Sequence, residues 1–488
     1  MLFHSRAFIF MFLPVCAGGF FLLARLAGSV WALRWLVAAS LFFYGWWDPR
    51  FVPLLVGSIV ANHLIACVIR ARRRAGLALI AQRFLTGGIV LDIAVLAWFK
   101  YADFLLHIVA PDLPGLDLAL PLAISFFTFQ QIMFLVEAYR HPERDTDLLH
   151  CAAFITFFPH LIAGPIVRPR DIIPQLRYSA LARPRADNIS IGLLIFLLGL
   201  GKKLVLADMF GGFADTGFDA AATGAPLTFF EAWYATLAYA LQIYFDFSGY
   251  SDMAIGLARI MNIRFPLNFD SPYQAHDISA FWRRWHITLG AFLRDYVYIP
   301  LGGSRQGEQR RIVNLLMTML LVGLWHGAAW RFVLWGGLHG LFLAAHALFR
   351  RGGRSLPAPL AQCLTLFVVI LAWVPFRADG LATTWSMLRA MAGANGIALP
   401  AMIVGYAPAL EWIATAVPVL PHLGDARTLS FPEVSACLLS GWFIVLVLPN
   451  VHRMSERGRQ WALTSGFAFT AQALFFAPRM TPFLYFQF

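Results

Sequence analysis

The sequence predicts an all-α fold, a polytopic transmembrane bundle of about 11–13 spanning helices with re-entrant segments around a central funnel. Three observations carry that expectation. The 488 residues are 59% hydrophobic and 13% charged, about half the charged fraction of a soluble domain, with a mean hydropathy of +0.67. The apolar residues gather into blocks near the ~20-residue length that crosses a bilayer as a helix. The arginines fall in short loops between those blocks, as the positive-inside rule requires. An outer-membrane barrel would show ~10-residue alternating segments instead, and the chain has none. The formal net charge of +12 therefore reflects membrane orientation, and no nucleic-acid partner is expected.

Taken in order, the apolar blocks run over 7–24, 35–47, 51–69, 88–109, 119–137, 150–166, 189–210, 228–245, 251–262, 287–301, 312–328, 332–349, 360–376, 401–418, 432–449 and 461–478. The first has a basic residue before an apolar run, as a signal peptide does. Its length and the lack of an A-x-A site mark it as a retained helix. The loop "RARRRAGLALIAQR" (70–83) anchors the cytoplasmic side. Three spans precede it, so the N-terminus lies outside. The Lys/Arg-free loop 110–118 then falls outside and 138–149 inside. Loop 211–227, also without Lys or Arg, lies outside if 150–166 dips in and returns. Pro159, Gly164 and Pro165 oppose a straight span there, and non-helical backbone at membrane depth must be buried in protein or line a cavity. A second half-inserted element is expected at 287–301. Residues 379–431 read as an extracytoplasmic loop with interfacial helices inside a single transmembrane unit, 1–488. The five cysteines (Cys16, Cys67, Cys151, Cys363, Cys437) lack metal-ligand or CxxC spacing and read as buried thiols. No metal site is expected. Lysine occurs only at Lys100, Lys202 and Lys203.

Three stretches are too polar to face lipid. In "RFPLNFDSPYQAHDISAFWRRWH" (264–286), Arg283, Arg284, Trp285 and His286 follow Asp277. In "QIYFDFSGYSD" (242–252), Asp246, Ser248 and Asp252 border an apolar span. In "LLVGLWHGAAWRF" (320–332), His326 stands between Trp325 and Gly327. Such groups normally face a cavity or one another. His326 lies on the order of 20 Å from the cytoplasmic end of its block, so water reaches it only through a pore or funnel. Imidazole takes up a proton near neutral pH without a permanent charge. A helical histidine beside a tryptophan is, taken alone, more often a packing residue, and His63, His107, His160, His339 and His346 keep that reading. The Gly-rich "LGGSRQG" (301–307) resembles a phosphate cradle, although Gly-rich turns between helices are common. P-loop, GxSxG, HExxH and GxGxxG motifs are absent.

"FWRRWHITLGAFLRDYVYIPLGG" (281–303) and "GLWHGAAWRFVLWGGLHG" (323–340) resemble the membrane-bound O-acyltransferase (MBOAT) family, in its bacterial alginate O-acetyltransferase branch. "PLAISFFTFQQ" (121–131), "FFPHLIAGPIVRP" (157–169), residues 241–273 and "TPFLYFQF" (481–488) agree. His160 departs from the glutamine expected at its place. The resemblance implies O-acyl transfer from cytoplasmic acetyl-CoA to a hydroxyl outside the inner membrane of a bacterium. The acceptor would be an exported polysaccharide, and an extracytoplasmic esterase-like partner would present it. The resemblance puts the catalytic histidine at His326 and the second polar position at His286. In that chemistry a base removes the hydroxyl proton and donors hold the developing oxyanion. His326 suits the first task. His286, indole N–H groups such as those of Trp285 and Trp325, or free backbone suit the second. Arg168, Arg283, Arg284, Arg294 and Arg305 are candidates for the donor's phosphates. Asp246 and Ser248 are candidate pocket-lining residues.

Other readings stay open at this stage. D-alanyl transfer from a carrier protein to a wall polymer uses the same parts, and cellulose or another glycan would serve as acceptor. A transporter or channel also buries polar residues in broken helices, and a scaffold that recruits the acceptor protein would need no histidine. Direct transfer and an acyl-histidine are both compatible with the sequence.

Overall fold

The structure, a computed structural model, describes residues 1–177, 183–397, 431–453 and 483–484, and among these there is no β-strand. Four long helices open the chain: α1 (Phe8–Leu26), α2 (Ser29–Gly45), α3 (Val52–Arg74) and α4 (Ala78–Val109). They are followed by α5 (Ile124–Arg140), α6 (Leu148–Thr156), the single turn α7 (Phe158–Leu161) and α8 (Pro169–Arg177). The central pair is α9 (Ala186–Ala222) and α10 (Phe229–Ile260). Two short helices, α11 (Ile278–Arg284) and α12 (Ile287–Leu293), lead into the hairpin of α13 (Glu308–His326) and α14 (Trp330–Arg351). Then come α15 (Ala358–Arg377), α16 (Leu381–Met391) and α17 (Phe431–Val447). Six stretches of the described residues are long and apolar enough to cross a membrane, in α1, α3, α4, α9, α14 and α15. α2 and Val434–Val447 are shorter apolar helices. Large apolar side chains such as Met11, Leu64, Trp98 and Val109 lie exposed on the outside of the bundle, where lipid rather than water meets them. Cys67 and Cys363 also face outward, against expectation, while Cys16 and Cys151 are buried. A thiol on a lipid-facing helix surface needs no burial in protein to avoid water.

The central pair differs from the sequence reading at two boundaries. Blocks 228–245 and 251–262 form a single helix, α10, and every residue from 238 to 258 is buried. Likewise α9 runs through the expected outer loop 211–227 as far as Ala222. The acids that seemed to interrupt α10 are matched from α9. Lys203 Nζ lies 2.8 Å from Asp246 and 2.8 Å from Asp208. Lys202 Nζ lies 2.6 Å from Asp252. With charges compensated, a polar stretch can continue a buried helix. A π-helical turn over Lys202–Ala207 carries both lysines at the contact. Glycines set the approach of the two helices. A Cβ on Gly199 would lie 2.5 Å from the carbonyl oxygen of Gly249, and one on Gly192 2.6 Å from that of Gly256.

Segment 150–166 is broken, as its prolines demand. Phe157 leaves the helix with ψ 107, and α7 restarts with Pro159 in its first turn, where a missing N–H costs nothing. All residues from 153 to 167 are buried in the protein. Segment 287–301, expected to be half-inserted, folds as α12 continued by a π turn, Arg294–Tyr298. Loop 301–307 is a tight turn with positive φ at Gly302, Gly303 and Gly307, pinned by Asn314 Nδ2 donating to the Gly303 carbonyl at 2.9 Å. In the expected outer loop 379–431, α16 occupies the beginning, and residues 398–430 lie outside the described residues.

Candidate active site

His326 is the last residue of α13 and is only 4% exposed. It stands about 27 Å along the helix from Glu308. α13 and α14 can pack tightly behind it because Gly323 and Gly336 face the opposite backbones. A Cβ on either would strike a carbonyl oxygen, of Phe332 or Met319. That closeness brings three rings around the imidazole: Trp325 at 4.7 Å, Trp335 at 5.0 Å and Phe376 of α15 at 5.0 Å between centroids.

The end of α13 leaves carbonyls without helical partners. α4 supplies donors for them. Lys100 Nζ donates to Trp325 O at 2.5 Å and to His326 O at 3.4 Å, and Tyr101 Oη donates to Leu324 O at 2.8 Å. A cation at a helix C-terminus also complements the macrodipole. Lys100, Trp325, His326 and Ser125 share the wall of a cavity of about 190 Å³, which residues 120–126 and Trp47 close from the far side. The indole Nε1–H of Trp325 is buried without an acceptor among the described residues.

His286 sits between α11 and α12 in a left-handed conformation (φ 44, ψ 54), which a non-glycine residue holds only when its surroundings impose it. Asn268 imposes it. The Asn268 carbonyl accepts from Ile287 N–H at 2.9 Å. Its Oδ1 accepts from Thr288 N–H (3.3 Å) and Thr288 Oγ1–H (2.9 Å), and its Nδ2 donates to Ser251 at 3.1 Å. A backbone N–H can only donate, so the oxygen position of this amide is fixed. His286 Nδ1, 3.1 Å from the same oxygen, therefore carries the proton. Neutral His286 is then an acceptor at Nε2, which is buried with no partner among the described residues. As an oxyanion donor it would have to be protonated first. Its ring lies 6.3 Å from that of Trp325 and 4.7 Å from that of Phe247.

The structure thus brings His326, Trp325 and His286 together and adds Lys100 and Asn268, which the sequence reading had not singled out. Lys100 had a signal, since lysine inside an apolar block of an arginine-dominated chain is a marked residue. The other candidates stand elsewhere. Trp285 packs among Phe269, Tyr273, Phe281 and Trp373. Asp246 is held by Lys203 and accepts from the backbone N–H of Leu484 at 2.9 Å. Ser248 is buried on the same helix. Neither Asp246 nor Ser248 lines the His326 cavity. Arg168 and Arg294 both bind Asp295, at 2.6 and 2.7 Å. Arg284 reaches Ser271 O at 3.5 Å, while Arg283 and Arg305 are exposed. His339 accepts from Trp282 Nε1–H at 3.3 Å and lies across Trp335 from His326. His160, at the position where glutamine was expected, accepts from Gln130 Nε2 at 2.7 Å. Among the described residues, no group of three or more His, Cys, Asp or Glu is placed to hold a metal ion.

Residues 64–380 match the model of the MBOAT, membrane-bound O-acyltransferase, family. The chain is 42% identical over 433 residues to a peptidoglycan O-acetyltransferase of Helicobacter pylori, covering 82% of this chain and 81% of that one. It is 41% identical over 404 residues to a "Probable alginate O-acetylase AlgI" of Pseudomonas aeruginosa, covering 80% and 75%. A teichoic acid D-alanyltransferase of Bacillus subtilis is 26% identical over 296 residues, covering 59% and 74%.

Proposed function

The chain belongs to the membrane-bound O-acyltransferase family, and from that premise we propose that this multi-pass membrane acyltransferase moves acetyl from cytoplasmic acetyl-CoA to hydroxyls of an exported polysaccharide. In this reading the protein lies in a bacterial inner membrane as one transmembrane unit with its N-terminus outside. The His326 cavity then opens toward the extracytoplasmic side, where an esterase-like partner presents the acceptor. Relatives near 40% identity carry names of acetyl transfer to glycans, which favours acetyl over the D-alanyl of the relative at 26%.

The observation that supports the reading best is the convergence of His326, Trp325 and Lys100 on one small cavity. His326 takes the proton of the acceptor hydroxyl as its oxygen attacks the thioester carbonyl. The charge that develops on the carbonyl oxygen is met by the Trp325 indole N–H and the Lys100 ammonium, donors already in place before reaction. Collapse breaks the carbon–sulfur bond, and the departing thiolate receives the proton from the imidazolium. His286, an acceptor at Nε2 when neutral, suits a second proton site better than an oxyanion donor. Protein reconstituted in nanodiscs tests the donor. Consumption of acetyl-CoA with acetylation of an added oligosaccharide supports the reading, whereas discharge of only a D-alanyl-loaded carrier protein replaces it with the wall-polymer reaction.

A further inference from the structure

The charged end of α3 holds a second feature, outside the His326 cavity. A cavity of about 600 Å³ lies between the ends of α3 and α5, the turn 141–147 and α8. Four guanidinium groups reach it: Arg70, Arg144, Arg170 and Arg177. Its three carboxylates are already engaged. Glu137 and Glu143 lie 3.3 and 3.7 Å from Arg144. Asp145 lies 2.7 Å from Arg74, whose hydrogen bond holds that carboxyl below its ordinary range and so keeps it ionised. Arg177 donates to the backbone carbonyl of Asp145.

Arg70 differs from all of these. It is 4% exposed, has no carboxylate within ion-pair distance among the described residues, and keeps its Nε–H without an acceptor. Its guanidinium lies over the Phe134 ring, 5.3 Å from the centroid. An arginine that serves only to orient the chain in the membrane sits in water, as exposed Arg72 and Arg74 do. A buried guanidinium with an unused N–H, beside a cavity, lacks an anion. Phosphate matches the planar fork of arginine in two-point fashion.

We propose that Arg70, with Arg144, Arg170 and Arg177 around it, forms a phosphate-binding site for the end of the acyl donor opposite its thioester. This rests on the acyl-transfer reading above. α5 links the two places: Phe126 and Phe129 pack against Trp325, each at 5.5 Å, and Phe134 and Glu137 wall the Arg70 cavity. From Phe129 to Glu137 the helix advances about 12 Å, within reach of an extended pantetheine arm. A phosphate at Arg70 and a thioester beside Trp325 and His326 then belong to one molecule. An anionic lipid headgroup offers the same chemistry from another source.

The test uses the full chain in nanodiscs of neutral phospholipid, with coenzyme A, pantetheine (which lacks phosphate) and inorganic phosphate as probes. Wild type is expected to bind coenzyme A at least tenfold more tightly than pantetheine. Arg70→Gln should remove that preference and inorganic phosphate binding, leaving pantetheine affinity and thermal stability unchanged. Arg70→Lys, which keeps the charge and loses the fork, should fall between. If Arg70→Gln binds coenzyme A and phosphate as wild type does, the site does not exist. If wild type binds inorganic phosphate and, in a parallel titration, phosphatidylglycerol but never coenzyme A, and Arg70→Gln loses both, the phosphate site stands with a lipid headgroup as its source, and the donor reading fails separately. His326→Ala should bind all three probes normally, which keeps failure of catalysis distinct from failure of this site.

Discussion

The α9–α10 contact and the α13–α14 hairpin both bury polar side chains, and they do so in opposite ways. Between α9 and α10 each cation meets an acid: Lys203 with Asp246 and Asp208, and Lys202 with Asp252, which His452 also approaches at 2.8 Å. At the α13–α14 hairpin Trp325 and His326 border a cavity and aromatic rings, and Lys100 donates to their carbonyls and to Ser125 Oγ. The first arrangement builds helix contacts in a medium without water. In the proposed reaction the second holds its groups at a space that a substrate would enter. Intramembrane polarity therefore marks function only where the structure leaves it facing space.

The largest effect should come from breaking the matched pair. Lys203→Met leaves the buried Asp246 without its cation, an expected loss of about 3–5 kcal/mol, visible as collapsed yield and melting temperature in detergent. The double variant Lys203→Met, Asp246→Asn should recover most of that stability and also the activity. Recovery of the fold without activity would move Asp246 into the site, where the sequence reading had put it. Next, Lys100→Met should lower kcat about a hundredfold, the range for loss of one preorganised donor, with little change in melting temperature. A rate unchanged within threefold would reduce Lys100 to a helix cap. Asn268→Ala should cost about tenfold in kcat, since it frees the His286 tautomer at the expense of about 1–2 kcal/mol of hydrogen bonding. Asn268→Asp, which keeps an acceptor for Nδ1–H, should restore part of it. Smallest of all, Ser248→Ala should change kcat by less than about twofold, because Ser248 lies outside the cavity wall.

The sequence made the all-α membrane fold legible because hydropathy and loop charge are local quantities. It also made the hairpin of His326 and the segment of His286 legible, because both are short, distinctive stretches. What it hid depends on contacts between distant residues. α10 reads as two blocks until Lys202 and Lys203 are placed against its acids. Lys100 stands 225 residues before the Trp325 carbonyl that it binds, so no spacing rule could join them. Arg70 reads as one of several anchors in a basic loop, and only its burial separates it from Arg72 and Arg74. Of the five arginines proposed for the donor, Arg168 and Arg294 contact Asp295, Arg284 is half-buried, and Arg283 and Arg305 are exposed, differences of burial and pairing that their positions in the sequence do not reveal.

The most direct measurement is acetyl transfer by His326→Ala in nanodiscs, read beside its melting temperature and its affinity for coenzyme A. Transfer should fall to background while melting temperature and coenzyme A binding stay at wild-type values. A folded His326→Ala that still acetylates at the wild-type rate would contradict the assignment of His326 as the base.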